Sequence, residues 1–177
     1  MKKMWALFLM FWTAACVQAP PDAFSENINW GTPFVVSAQQ VETVSLNKVY
    51  DSTHYIEKRW PLSPEKGLIK WVQKNLKTTS SPHRLIVVIH QAHVVRETLP
   101  AAWYEPNEVK DTLIYRVEFL LKAGPKTKMS FTVGGKVFTK MPQKLSLADK
   151  EKEWAKMMSQ MMENLNQQVA LKLKNVV

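Results

Sequence analysis

The chain has 177 residues, 46% of them hydrophobic, with 24 Lys and Arg against 15 Asp and Glu, a formal net charge of +9 and a single cysteine. This length suits one domain with a real core, and a lone cysteine excludes an internal disulfide framework. The basic balance points to anionic lipid head groups or an acidic protein, or simply to a solvated basic surface; no zinc-finger, RNP or helix-turn-helix pattern supports a nucleic-acid partner.

The N-terminus begins with Lys2 and Lys3 and continues as an apolar run over residues 4–15. A charged start and a run of about a dozen apolar residues form a secretory signal peptide. The run is too short to cross a bilayer permanently, which takes roughly 20 apolar residues. Two cleavage sites compete. Val17-Gln18-Ala19 has the small-residue spacing of an ordinary site, but Pro20 follows it, and a residue with fixed φ and no N–H is a poor one just after a scissile bond. Thr13-Ala14-Ala15 before Cys16 resembles the bacterial lipobox, with Thr13 where leucine is usual. The resemblance implies a diacylglyceryl group on the Cys16 thiol and several acyl chains, palmitate among them, on one residue. Such an anchor is stable where a single chain is marginal. The other reading of Cys16 is a member of the apolar run or a free thiol in an oxidising compartment. Val17 and Gln18 follow the cysteine; a lipoprotein with Asp in the first of these places tends to stay in the inner membrane. By resemblance to that rule the expected location is the periplasmic face of the outer membrane. Loss of Lys2 and Lys3 takes the charge from +9 to +7 in the mature chain.

Residues 16–33 are rich in Pro, Asn and small side chains and read as a lipidated tether, leaving a single domain over 34–177. From 34 to about 50, Val35, Val36, Val41, Thr43, Val44 and Val49 predict one strand or a pair. Ser63 as cap, Pro64 as first helical residue and Glu65 at the positive end start a helix. Leu68, Val72 and Leu76, with Ile69 and Trp71 beside them, carry it as an amphipathic helix to about residue 76.

Residues 85–95, LIVVIHQAHVV, are apolar on both alternating faces and read as a strand with neither face fully wet. A loop with Pro100 and Pro106 follows. Leu113, Tyr115, Val117, Phe119 and Leu121 then alternate with polar residues, and Met129, Phe131, Val133, Gly135, Val137, Thr139 and Met141 do the same, so odd positions face a core in both strands. The parity survives across Gly134-Gly135, which predicts one continuous strand rather than a hairpin turn there. Pairing 121 with 129 sets Phe119 opposite Phe131 and places Tyr115 over Gly135, an aromatic covering a strand glycine. Ser146 to Asp149 forms a capping box with Asp in place of Glu, and Trp154, Met158, Met161, Leu165, Val169 and Val176 mark one stripe of a long helix.

The order β-α-β-β-β-α predicts an α+β two-layer sandwich: a small, mostly antiparallel sheet of about four strands with two helices on one face. The chain also carries Glu57, Arg59-Trp60-Pro61-Leu62-Ser63-Pro64 leading into a helix with Trp71, then Ala92, Val94 and Glu97 before Leu99-Pro100. Ser146 to Glu151 with Trp154 and Met157-Met158 completes the set. On these motifs it resembles a group of uncharacterised proteobacterial lipoproteins. Its element order is similar to that of outer-membrane assembly lipoproteins of the lipopolysaccharide-transport type and of auxiliary lipoproteins of ABC transporters. That topology implies an envelope transport or assembly role, although fold does not fix function.

Chemistry is sparse. His90 and His93 have HxxH spacing, but residues three apart on a strand point to opposite faces and cannot share an ion without a bulge. There is no G-x-S-x-G and no phosphate loop around Gly134-Gly135, so no catalytic set, metal site or cofactor is read. The leading expectation is a non-enzymatic module binding an envelope protein or lipid; the alternative is a small periplasmic hydrolase or metal-binding protein using His90 or His93. Two candidate surfaces arise. Ile114, Leu120 and Phe138 interrupt the polar outward positions of the sheet and mark an interaction patch if contiguous, unless the N-terminal segment folds over them. Met157 and Met162 flank the helix stripe and are candidates for a partly exposed, adaptable surface, whereas Met158 and Met161 read as core.

Overall fold

The computed structural model describes residues 21–48, 50, 53–100 and 107–174. The predicted signal peptide over 1–15 and Cys16 lie outside these residues.

The elements in chain order are α1 (Pro21–Glu26), β1 (Phe34–Val36), β2 (Gln40–Ser45), a 3₁₀ turn (Glu57–Arg59), α2 (Pro64–Asn75), β3 (Leu76–Thr78), β4 (Arg84–Thr98), β5 (Glu108–Ala123), β6 (Lys126–Pro142) and α3 (Leu147–Lys174). The main sheet has the order β2-β4-β5-β6, with β2 parallel to β4 and the other pairs antiparallel. A second, two-stranded parallel sheet pairs β1 with β3. The α+β class and the helices on one side of a four-stranded sheet stand as predicted. The region from 34 to 50 differs in detail: it forms two short strands that belong to different sheets, because β3, directly after α2, pairs with β1, whereas β4 pairs with β2.

Local chemistry accounts for the boundaries. Ser63 Oγ accepts from Lys66 N at 3.4 Å and Pro64 opens α2, so two of the helix's orphan donors are met or absent. At α3, Ser146 Oγ accepts from Asp149 N at 3.2 Å and donates to its carboxylate at 2.6 Å. That bond, with Lys152 beside it, holds the Asp149 carboxyl below its ordinary range. Gly124 (φ +60°) and Pro125 turn β5 into β6, and the positive φ at the first turn position is the reason for glycine there.

The β5–β6 register places Leu121 opposite Met129, Phe119 opposite Phe131 and Tyr115 opposite Gly135, on one continuous β6. The Phe119 and Phe131 rings stack with centroids 4.9 Å apart. A Cβ on Gly135 would lie 3.2 Å from the Tyr115 ring, so the ring occupies the space a side chain would need. Burial pushes the Tyr115 hydroxyl up to about 12.

β4 departs from simple alternation. A bulge between Ile89 and Gln91 switches its inward parity: Leu85, Val87 and Ile89 face the helices before it, Ala92 and Val94 after it. One extra residue shifts a strand's faces by one, which is why this run looks apolar on both faces in sequence.

The segment expected to be a tether over 16–33 is folded against the helices over its described part. Phe24 and Ile28 are buried in the core. The Trp30 carbonyl accepts from both Asn75 Nδ2 and Asn166 Nδ2, and Asn29 N donates to Ser159 Oγ at 3.1 Å. Phe24, Ile28 and Trp30 supply apolar area that a solvated tether would waste. The described N-terminal segment therefore covers the helix layer and not the open face of the sheet.

Candidate binding face

The strand periodicity that sends odd residues of β5 and β6 to the core sends the even ones to the opposite face, which no helix covers among the described residues. Arg116, Lys122, Lys136 and Lys140 lie at such positions, beside Lys110. Three acids on this face are engaged: Glu42 with Arg84 at 3.3 Å, Glu97 with Lys110 at 3.5 Å, and Glu118 with His90 Nε2 at 3.0 Å. Ser130 Oγ also donates to Glu118 at 3.0 Å. Hydrogen bonding from His90 and then Ser130 holds the Glu118 carboxyl below its ordinary range. Positive charge exceeds negative here, and Phe138, 61% exposed, stands among the lysines with Lys110 Nζ 5.5 Å from its ring centroid. Two surface depressions, of about 560 and 370 Å³, lie elsewhere, beside Thr78 to Pro82 and beside Trp30, Lys70 and Lys74.

The three apolar outward residues do not form a single patch. Ile114 is half-buried between His93 and Lys136, diagonal to Phe138, which pairs with Thr112. Leu120 lies between Ile86 and Ser130. The outward Arg116 and Glu118 separate it from Ile114, about 20 Å away at roughly 3.3 Å per residue. The three therefore stand apart along the face, and Leu120 has the outward Ile86 of β4 beside it.

Met157 and Met162 are not surface residues. They are 2% and 0% exposed, as buried as Met158 and Met161. α3 is covered on two sides, by the sheet and by α2 with the N-terminal segment, so its buried arc is wider than one stripe. Gly67 of α2 makes the room: a Cβ there would sit 2.2 Å from Met158 Cε and 3.3 Å from Met162 Cε.

The β4 bulge also alters the histidine geometry, since His90 and His93 both have partners on the open side of the sheet. Those partners differ. His90 pairs with Glu118, whereas His93 lies edge-on to Tyr55 and Tyr50, with centroids 5.4 and 5.9 Å away. Among the described residues no group of three His, Cys, Asp or Glu side chains is placed to hold a metal ion, so nothing here supports the hydrolase or metal alternative. The sequence reading missed the stacked Tyr50–Tyr55 pair around His93 and two side-chain amides that serve the sheet's backbone. Asn47 bonds both Ala92 N and Ala92 O, and Gln168 bonds both Gly134 N and Gly134 O. Neither amide has a sequence signal. The even-position lysines of β6 did have one, in their spacing.

His93 is 7% exposed and its Nδ1 has no hydrogen-bond partner among the described residues. Desolvation lowers its pKa below 6.5, opposed by the nearby Glu57. The folded state thus favours neutral imidazole, and the unfolded chain binds its proton at higher pH. This contribution to stability is complete above pH 6.5 and is lost as the pH falls through that value towards the lowered folded pKa. In urea titrations between pH 7.5 and 5, stability should decline with acidification in the wild type, and less steeply in His93→Phe. Equal slopes would show that His93 does not carry the effect.

No family model and no curated protein matches the chain. Its fold is similar to a neuraminyllactose-binding hemagglutinin homolog from Helicobacter pylori, at 9% identity and TM-score 0.49, covering 82% of this chain and 91% of that one. Rare lipoprotein B from Shewanella oneidensis is 17% identical with TM-score 0.42, covering 78% and 98%. A minor lipoprotein from Acinetobacter baumannii is 10% identical with TM-score 0.39, covering 76% and 89%. Similarity at this level does not extend to function.

Proposed function

We propose that the protein is a lipid-anchored, non-catalytic binding module on the periplasmic face of the outer membrane, engaging an envelope protein or lipid during transport or assembly. The observation that carries this reading is the open face of the main sheet. The helices and the described N-terminal segment cover the opposite layer, while the open face presents cations around an exposed Phe138. The anchor rests on the lipobox resemblance at Cys16, with several acyl chains sufficing for stable attachment.

Intact mass of the protein extracted from membranes tests the anchor. The wild type should begin at Cys16 and carry acyl chains, and Cys16→Ser should be soluble or unprocessed; an unmodified wild type would remove the lipoprotein reading. A photo-crosslinker in place of Phe138 tests the face in intact cells. It should give a discrete adduct that a crosslinker at the exposed Lys156 of α3 does not. Identical adduct patterns at the two positions would discard the face.

A further inference from the structure

β6 is the terminal strand of the main sheet, so one row of its backbone groups points away from β5. The Gln168 amide identifies which row. It accepts from Gly134 N at 3.2 Å and donates to Gly134 O at 3.1 Å, with its nitrogen also 3.3 Å from the Tyr115 hydroxyl. Both backbone groups of Gly134 therefore face the free edge, and Arg116 opposite it forms a non-hydrogen-bonded pair. In an antiparallel ladder such pairs alternate. Lys136, Phe138 and Lys140 share the parity of Gly134 in an unbroken register, so their N–H and C=O groups also face outward. Their side chains lie exposed on the open face.

An outward-bonding row of this kind is a template for an added strand. Gln168 closes the row at Gly134, and Leu145 N takes the Pro142 carbonyl at its other end. Among the described residues, a window of five, from 136 to 140, lies open between these stops. Its exposed side chains read cation, aromatic, cation.

We propose that the edge of β6 from Lys136 to Lys140 binds an extended acidic polypeptide segment by strand addition, with acidic side chains opposite the two lysines and an apolar one opposite Phe138. Opposite charges placed across a strand pair attract and like charges repel, so the lysines choose among strands rather than merely deterring them. A second copy of this chain fits poorly, because antiparallel self-pairing centred on Phe138 sets Lys136 against Lys140 on both sides. A lipid head group would satisfy the lysines but leave the outward amides without a partner. The inference rests on the reading of this face as a binding surface and names the partner's chemistry; it does not depend on the anchor.

The test is amide hydrogen exchange of the purified protein, followed by NMR with a capped heptapeptide. The peptide has glutamate second and sixth, valine fourth and threonine elsewhere. The amides of Lys136, Phe138 and Lys140 should become protected, while those of Val137 and Thr139, already bonded to β5, should not change. A peptide with lysines in place of the glutamates should protect none. The Lys136→Glu/Lys140→Glu variant should lose about tenfold in affinity for the acidic peptide, about 1.4 kcal/mol over the two cross-strand pairs, and should gain the lysine peptide. Equal protection by both peptides would overturn the charge selection, and protection by neither would overturn strand addition. Protection that rises with protein concentration alone would assign the edge to a second copy. Protection by phosphatidylglycerol vesicles but not by peptide would assign the lysines to lipid. A discrete Phe138 adduct in cells with no peptide protection would keep the binding face and discard only the strand.

Discussion

Asp111→Ala should lower the free energy of unfolding by about 3–5 kcal/mol, the cost of leaving a buried charge without its partner. Asp111 is fully buried on the inward side of β5, where its two oxygens each accept from the Arg96 guanidinium of β4 at 2.7 Å. Oδ2 also accepts from Trp154 Nε1 at 3.0 Å. The Trp154 ring stacks on Trp60 with centroids 5.3 Å apart, so this carboxylate ties two strands to the start of α3 and to the residues before α2. Removing it strands a largely buried guanidinium and an indole N–H together. Asp111→Asn retains the shape and an acceptor for Trp154 but not the charge, so it should fall between wild type and alanine. Urea unfolding followed by tryptophan fluorescence measures all three proteins. A loss below about 1 kcal/mol in Asp111→Ala, the scale of an exposed ion pair, would show that solvent already serves Arg96.

Trp71→Ala should cost about as much, 3–5 kcal/mol by the usual scale for emptying a large buried aromatic site. Trp71 is 0% exposed on the inward face of α2. Its ring lies tilted to Phe34 and edge-on to Phe119, at centroid distances of 6.3 and 6.4 Å. Its Nε1 donates to Asn166 Oδ1 at 3.0 Å, and the same Asn166 amide holds the Trp30 carbonyl at 3.2 Å. The truncation therefore opens a cavity, orphans a buried acceptor and loosens the hold on the N-terminal segment. Amide exchange should accelerate over residues 24–33 before it does in β5. Trp71→Phe keeps most of the volume and loses the hydrogen bond, so it should cost about 1–3 kcal/mol. If Trp71→Phe and Trp71→Ala are equally destabilised, packing is not what Trp71 contributes.

The two large effects sit differently in the sequence. Trp71 lies within the apolar periodicity of an evident helix, and its inward direction is legible there. Asp111 has the inward odd parity of Leu113, but an acid near the start of a strand reads as solvated until Arg96 and Trp154 are placed beside it. The same division runs through the candidate face. The outward parity of Lys136, Phe138 and Lys140 follows from counting by twos. Where the row of their outward backbone groups stops depends on Gln168, a polar residue 34 positions after Gly134 that no local pattern distinguishes from its neighbours.

Taken alone, the sequence determined whatever depends on residues within a few positions of one another. These features are the capping of both long helices, the continuity of β6 across two glycines and the β5–β6 register with Tyr115 over Gly135. Only the tertiary structure decided what depends on how many partners an element acquires. α3 is covered on two sides, so Met157 and Met162 are buried; a single bulge reverses β4, so His90 and His93 both find partners on the open side; and Phe24 and Ile28 find a hydrophobic surface, so the expected tether folds back. The physical reason is that capping and strand parity are short-range, steric and hydrogen-bond effects, whereas burial is a property of the assembled layers, fixed when distant apolar surfaces meet.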